Sequence, residues 1–298
     1  ASYLFIRPDL IITKGGFTVC EIETSPFGLA LAELLNKSYR SAGFDTLVPN
    51  EALRDFVTAN TPPQGRIVYS QKTSSYAGQL AFLADQVFSG DYRLWNTEQA
   101  DYVGDAVSSA IYRGFYQYEY ATDIFVHGLV EACLKDEKIS AIPSFTPYME
   151  EKALLALIWD KRWEQPLSRQ LGNATFRHLR EVIPPTWIVG QEQFFALGLP
   201  ERVSSLDSIA SLPRSKRQFV LKKSGFGADS SWAEGVNFLQ EKSSAKAQEL
   251  LSVAQQDEAS LYILQEFKEG QKRKMLYEEN NALHEMDARI RITPYFSM

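Results

Sequence analysis

Between Asp9 and Gly28 the chain has to fold back on itself. Leu10-Ile11-Ile12-Thr13 and Phe17-Thr18-Val19-Cys20-Glu21-Ile22-Glu23 are two apolar-rich arms around Lys14-Gly15-Gly16, a pattern that predicts a β-hairpin. Side chains repeat every two residues along a strand, so Phe17, Val19, Glu21 and Glu23 share one face. The turn brings Arg7-Pro8-Asp9 back beside the end of the second arm, within reach of Glu21 and Glu23. Such a hairpin has two readings. As a surface element it turns its charges to water, and Pro26-Phe27-Gly28 is an ordinary strand exit. As a site, Asp9, Glu21 and Glu23 offer oxygen ligands to a hard cation such as Mg²⁺, while Arg7 pairs with phosphoryl oxygens. Two carboxylates beside Phe17 and Val19 are costly to bury without a cation, which favours the site.

At 298 residues, with 45% hydrophobic and 12% aromatic side chains, the chain can bury a core of two or three packed lobes. No stretch approaches the roughly 18 apolar residues of a membrane span, and no cationic-then-apolar signal segment opens it. Two cysteines are too few for a disulfide framework, so a cytoplasmic protein without membrane attachment is expected. The first residue is not Met, which is expected of a chain that starts inside a longer one. A net charge of −6, with short and scattered basic pieces, gives no field to attract nucleic acid.

Apolar residues at Leu31, Leu34, Leu35 and Tyr39 recur at helical spacing and stop before Gly43, predicting a core-facing helix over 29–42. Residues 44–150 then alternate strands (66–69, 106–112, 139–142) with helices (76–88, 123–135), the mark of an α/β lobe with a partly parallel sheet. The aromatic run from Tyr112 to Tyr120 is either core or the rim of a pocket. From residue 147 to 180 the pattern is helical, with Trp159 and Trp163 as packing surfaces; a strand follows at 186–189 and a helix-to-strand connection at 206–217.

Gln218 to Leu239 reads as strand, glycine loop, strand, with Lys222 and Lys223 at the strand end and Gly225 and Gly227 in the loop. A point charge followed by exposed backbone N–H groups holds phosphates without a Walker motif; as a bare motif it is also a common surface hairpin. Neither G-x-x-x-x-G-K-[ST] nor a strand-to-helix G-x-G-x-x-G occurs, so neither a P-loop nor a Rossmann fold is supported. A strand over 260–267 ends in Gln265, Glu266 and Phe267, which suit hydrogen bonds to an adenine edge. In the strand expected over 287–296, Arg289 and Arg291 project on one face, toward water or toward anions. His127, His178 and His284 lie in no Ser/Asp context, which disfavours a hydrolytic triad.

The order and content of these motifs resemble an ATP-grasp ligase, and within that family the synthetase domain of glutathionylspermidine synthase. There the metal-binding carboxylate strand precedes the nucleotide-binding lysine strand, as here. The resemblance covers nearly the whole chain in motif order, without detailed identity between motifs. It implies an α+β or α/β chain, ATP-grasp-like with an additional α/β lobe in the middle. Residues 1–43 would be the metal-binding hairpin and helix, 44–150 the substrate-side lobe and 151–298 the nucleotide-binding lobe. It implies Mg²⁺ on Asp9, Glu21 and Glu23, with Glu23 where the family usually has Asn, and Arg7 steadying the transferred phosphoryl. ATP would lie on Lys222, Gly225, Gly227, Gln265, Glu266, Phe267 and Arg289 or Arg291. Gly172-Asn173-Ala174 departs from the family's Gly-Asn-Lys, removing one ATP lysine for which Arg177 or Arg180 would have to substitute. The chain also ends, at Met298, near where a last lysine is expected, and the amidase domain of some members has no counterpart.

The implied function is an ATP-dependent ligase joining a small carboxylate to an amine through an acyl phosphate. Such catalysis is mainly positioning and charge neutralisation. The alternative, which Ala174 supports, is a nucleotide-binding homologue without turnover, serving as a sensor or assembly subunit. A plain interaction domain would leave the acidic hairpin and the Lys222 loop as coincidence.

Overall fold

A computed structural model describes residues 5–24, 27–49, 51–88, 92–99, 110–136, 138–190, 205–225, 227–230 and 234–297. The protein is a mixed α/β chain with several sheets. It divides into two units. One takes residues 1–7, 24–147 and 295–298; the other takes 8–23 and 148–294. Strand β1 (Phe5–Thr13) contributes to both. Residues 8–23 of the hairpin thus group with 148–294, and the helix after them groups with the middle of the chain. Among the described residues no helix is long and apolar enough to cross a membrane.

The first unit is built on four parallel strands, β3 (Gly65–Tyr69), β4 (Tyr92–Asn96), β5 (Ala110–Gly114) and β6 (Ser140–Ile142), in the order β4-β3-β5-β6. The expected sheet is thus wholly parallel. The strand β4 is not singled out by the sequence pattern, and residues 106–109 of one expected strand lie outside the described residues. A parallel sheet is covered on both faces, so neighbouring apolar residues go to opposite cores. Ile67 and Tyr112 pack with Phe5, Val57 and Leu80; Val68 and Ile111 pack with Phe115, Val126 and Leu129. The aromatic stretch is therefore core at Tyr112 and Phe115. After helices α2 (Ala52–Asn60) and α3 (Ala77–Phe82), helix α4 (Ile124–Lys135) is capped by Asp123, whose carboxylate accepts from the Phe125 and Val126 N–H groups. A side chain at Gly65 would meet the Tyr92 ring at 2.4 Å and the Ala110 carbonyl at 2.7 Å, so close approach of three strands requires glycine there.

Helix α1 (Leu29–Ser41) forms where expected but is turned the other way. Leu29, Ala30 and Glu33 face the core, where Leu29 and Ala30 join Val57 and Ile67. Leu31, Leu34, Leu35 and Tyr39 are exposed by 46–54%. Helical periodicity identifies a stripe; it does not say which stripe a neighbour covers, and the small Ala30 lets the opposite side approach. Leu29→Ala should then cost about 2–5 kcal/mol, whereas Leu34→Glu should stay within about 0.5 kcal/mol. Denaturant titration of the two variants checks the orientation, and the reverse ranking would restore the sequence expectation.

In the second unit Pro8–Thr13 of β1 pairs with β2 (Gly16–Glu23), forming the expected hairpin. Val19 packs against Leu155, Ile158, Phe176 and Ile183, which lie on or beside helices α5 (Leu154–Leu157) and α7 (Asn173–Val182). Helix α6 (Lys161–Leu171) lies between them in sequence, and Trp163 on it is exposed. A four-stranded antiparallel sheet follows: β7 (Thr186–Val189), β8 (Phe219–Ser224), β9 (Val236–Phe238) and β10 (Leu261–Glu266), in the order β7-β10-β8-β9. One face is sealed by α8 (Leu206–Ser211) and α9 (Ser244–Gln256) over Trp187, Phe219, Leu221 and Leu264. By alternation Thr186, Lys222 and Gln265 occupy the other face.

The strand expected over 287–296 is three pieces. Its start ends β12 (Ala282–Arg289), which pairs with β11 (Lys272–Glu279) in an exposed ribbon. It continues as β13 (Arg291–Ile292), antiparallel to β1, and β14 (Phe296–Ser297), which pairs with β1 at Phe5 and Ile6. Pro294, which cannot donate to a ladder, separates the last two.

Candidate functional site

Strand β8 carries two adjacent lysines to opposite faces. Lys222 is buried and Lys223 is not. The Lys222 Nζ donates to the Cys20 carbonyl at 2.9 Å and to Gln265 Oε1 at 2.8 Å. Gln265 is held in turn by its amide, which donates to Thr186 Oγ1 at 3.0 Å. An ammonium has three N–H donors, and two are spent within this triad. Burial pushes the Lys222 ammonium below its ordinary pKa; the neighbouring Cys20, Glu21 and Asp9 oppose the shift, and Lys152 adds to it.

The glycine loop leaves from the end of this strand. Gly225 has φ +107°, a conformation natural to glycine. Ser230 Oγ lies 2.6 Å from both the Gly225 and Gly227 carbonyls and fixes the loop's curvature. Lys223 reaches Asp229 at 2.5 Å on the outer side. Phe226 and residues 231–233 lie outside the described residues. Lys152 crosses from before α5, donating to the Ser230 carbonyl at 2.8 Å and pairing with Glu21 at 3.1 Å.

Several sequence expectations change here. Among the described residues no group of three His, Cys, Asp or Glu side chains is placed to hold a metal ion. Of the hairpin acids Asp9, Glu21 and Glu23, Asp9 is met by Arg291 at 3.2 Å and Glu21 by Lys152. Arg7 belongs to the first unit, where it donates to the Phe27 carbonyl at 3.1 Å and lies over the Tyr295 ring; the three acids belong to the second. The Gln265 side chain supports Lys222. The backbone N–H groups of Glu266 and Phe267 are spent on the Pro185 and Gln218 carbonyls. Glu266 pairs with Lys268 at 3.3 Å, and Phe267 stands edge-on to Phe238. Arg289 is engaged with Glu269 and the Gly270 carbonyl. Both arginines thus face anions, and the anions are the protein's own.

Arg180 is likewise taken, by the Ile158 carbonyl and Glu164, and stacks on Phe176 and Trp159. With Arg177, Ser168 and Asn173 it lines a cavity of about 490 Å³ between α6 and α7, beside Ala174. Lys152, Glu151 and Thr186 escaped the sequence reading. The one signal for Glu151 and Lys152 is a charged Glu150-Glu151-Lys152 step directly before an apolar helix.

A scan against models of protein families and a search of curated proteins found no match to this chain.

Proposed function

We propose that the second unit binds ATP and that the chain is a carboxylate–amine ligase of the ATP-grasp type, resembling the synthetase domain of glutathionylspermidine synthase. The observation that carries this reading is Lys222. Its ammonium is desolvated at the end of a strand, oriented by Gln265 and the Cys20 carbonyl, and followed at once by a glycine loop. A buried cation is expensive unless an anion uses it, and a phosphate chain is such an anion. The antiparallel sheet with two helices on one face also suits an ATP-grasp lobe.

In this reading Lys222 and the Gly225 N–H neutralise and orient phosphoryl oxygens. ATP supplies the phosphoryl that converts a carboxylate to an acyl phosphate, from which an amine displaces phosphate with formation of the C–N bond. A preassembled three-carboxylate Mg²⁺ site does not fit the residues; a Mg²⁺ arriving on the nucleotide's own phosphates needs only one or two carboxylates, which Asp9, Glu21 or Glu23 can offer. Arg7 stays outside the reading while it is bound to the Phe27 carbonyl. Ala174, exposed on α7 where the family carries a lysine, favours the second reading of a nucleotide-binding homologue without turnover.

Product analysis separates the two. A ligase should release ADP and phosphate when a carboxylate and an amine are both supplied, and little with the carboxylate alone. ATP bound but intact across a panel of acids and amines would favour the homologue without turnover. AMP and pyrophosphate would reject both.

A further inference from the structure

In the first unit the chain leaves β3 and β5 toward opposite faces of the sheet. The helical segment after β3 includes α3 and covers the face of Ile67 and Tyr112, where Leu80 and Leu83 pack. The connection after β5 is α4, which covers the other face, with Val126 and Leu129 against Val68 and Ile111. The two strands are parallel neighbours at the centre of the order β4-β3-β5-β6. Open parallel sheets bind ligands outside the carboxyl ends of the two strands whose connections part in this way.

The loops at that place are rich in rings. A 3₁₀ turn follows each strand, Gln71–Tyr76 after β3 and Gln117–Ala121 after β5. Thr73 Oγ1 ties the first turn to the end of β5, donating to the Gly114 carbonyl at 2.6 Å. Tyr76 and Tyr116, one from each loop, both pack on the Phe27 ring, with centroids 4.8 and 5.2 Å away. Tyr116 in turn stacks on Tyr118 at 5.2 Å and 6° from parallel. Lys72 reaches across from the first turn, its Nζ 4.9 Å from the centre of the Tyr118 ring and 3.3 Å from Thr122 Oγ1. The aromatic stretch that is core at Tyr112 and Phe115 is therefore, from Tyr116 onward, the rim of this place.

Two polar groups here are left over. Lys72 is exposed, and among the described residues no carboxylate pairs with it. Gln117 Nε2 is buried and meets no acceptor among the described residues. A buried donor without an acceptor is costly, and an oxygen brought by a ligand removes that cost.

We propose that the carboxyl ends of β3 and β5 form a binding site for a small molecule that carries an anionic group on a planar ring. The ring stacks with Tyr118, the Lys72 ammonium turns from the Tyr118 ring to the anion, and Gln117 Nε2 donates to one of the anion's oxygens. The exchange favours binding, because a cation over a ring at an exposed position is held more weakly than one hydrogen-bonded to an anion. This site shares no residue with Lys222 and its glycine loop, and it does not depend on the nucleotide reading.

The test is titration of the full chain at pH 7 with 2-naphthoate, followed by ligand-observed NMR, beside 2-naphthol as the ring without the carboxylate. 2-Naphthoate should bind about tenfold or more tightly than 2-naphthol, the effect of one charge-assisted contact. Lys72→Ala should bring 2-naphthoate down to the affinity of 2-naphthol, and Tyr118→Ala should weaken both. Lys72 is exposed, so its variant carries the test should Tyr118→Ala fail to fold. Lys222→Ala should change neither affinity. No binding of 2-naphthoate, or binding that Lys72→Ala leaves as it was, overturns the proposal. A loss in Lys222→Ala with none in Lys72→Ala overturns it as well, by placing the aromatic anion in the second unit.

Discussion

Replacing Lys222 with alanine should weaken ATP binding about 10- to 150-fold, while Lys223→Ala changes it by no more than about 0.5 kcal/mol. The first figure is the worth of a charge-assisted contact, roughly 1.5–3 kcal/mol, at 1.4 kcal/mol per decade of affinity. The second is that of a residue whose main partner, Asp229, is itself largely exposed. The contrast follows from alternation along β8: one ammonium meets Gln265 and the Cys20 carbonyl, and the other meets the outer side of the loop. Equal losses in the two variants would mean that the loop is not the phosphate cradle. A loss confined to Lys223→Ala would place the site on the other face of the strand.

The second large effect is on stability. Phe219 begins the same strand, is fully buried, and packs against Trp187 under α8 and α9. Truncating it to alanine leaves a cavity where a ring stood, at a cost of about 3–5 kcal/mol. A drop of that size in denaturant unfolding monitored by Trp fluorescence is expected. Phe238, on the neighbouring strand β9 but 38% exposed, should lose far less on the same change. Comparable losses would mean that the helices do not seal the face opposite Lys222.

Local features of the chain were legible in the sequence. Alternation over β2 and β8 and the glycines after each strand act within a few residues, so the hairpin, the strand–loop–strand and most helices fall where the pattern puts them. Long-range choices were not legible. The α1 stripe fits either orientation until Leu29 meets Val57. The three hairpin acids look like a metal site until Lys152 and Arg291, far along the chain, arrive to pair with two of them. That the Gln265 side chain is held by Thr186 depends on pairing across the sheet, which the sequence around residue 265 does not carry. Glu151 and Ser224 are 73 residues apart and share no motif.

The most direct test of the nucleotide site is a crystal structure of the protein with Mg²⁺ and a non-hydrolysable ATP analogue. Phosphates are expected at hydrogen-bond distance from Lys222 Nζ and the Gly225 N–H. An analogue bound elsewhere, with Lys222 still facing only Gln265 and the Cys20 carbonyl, would contradict it.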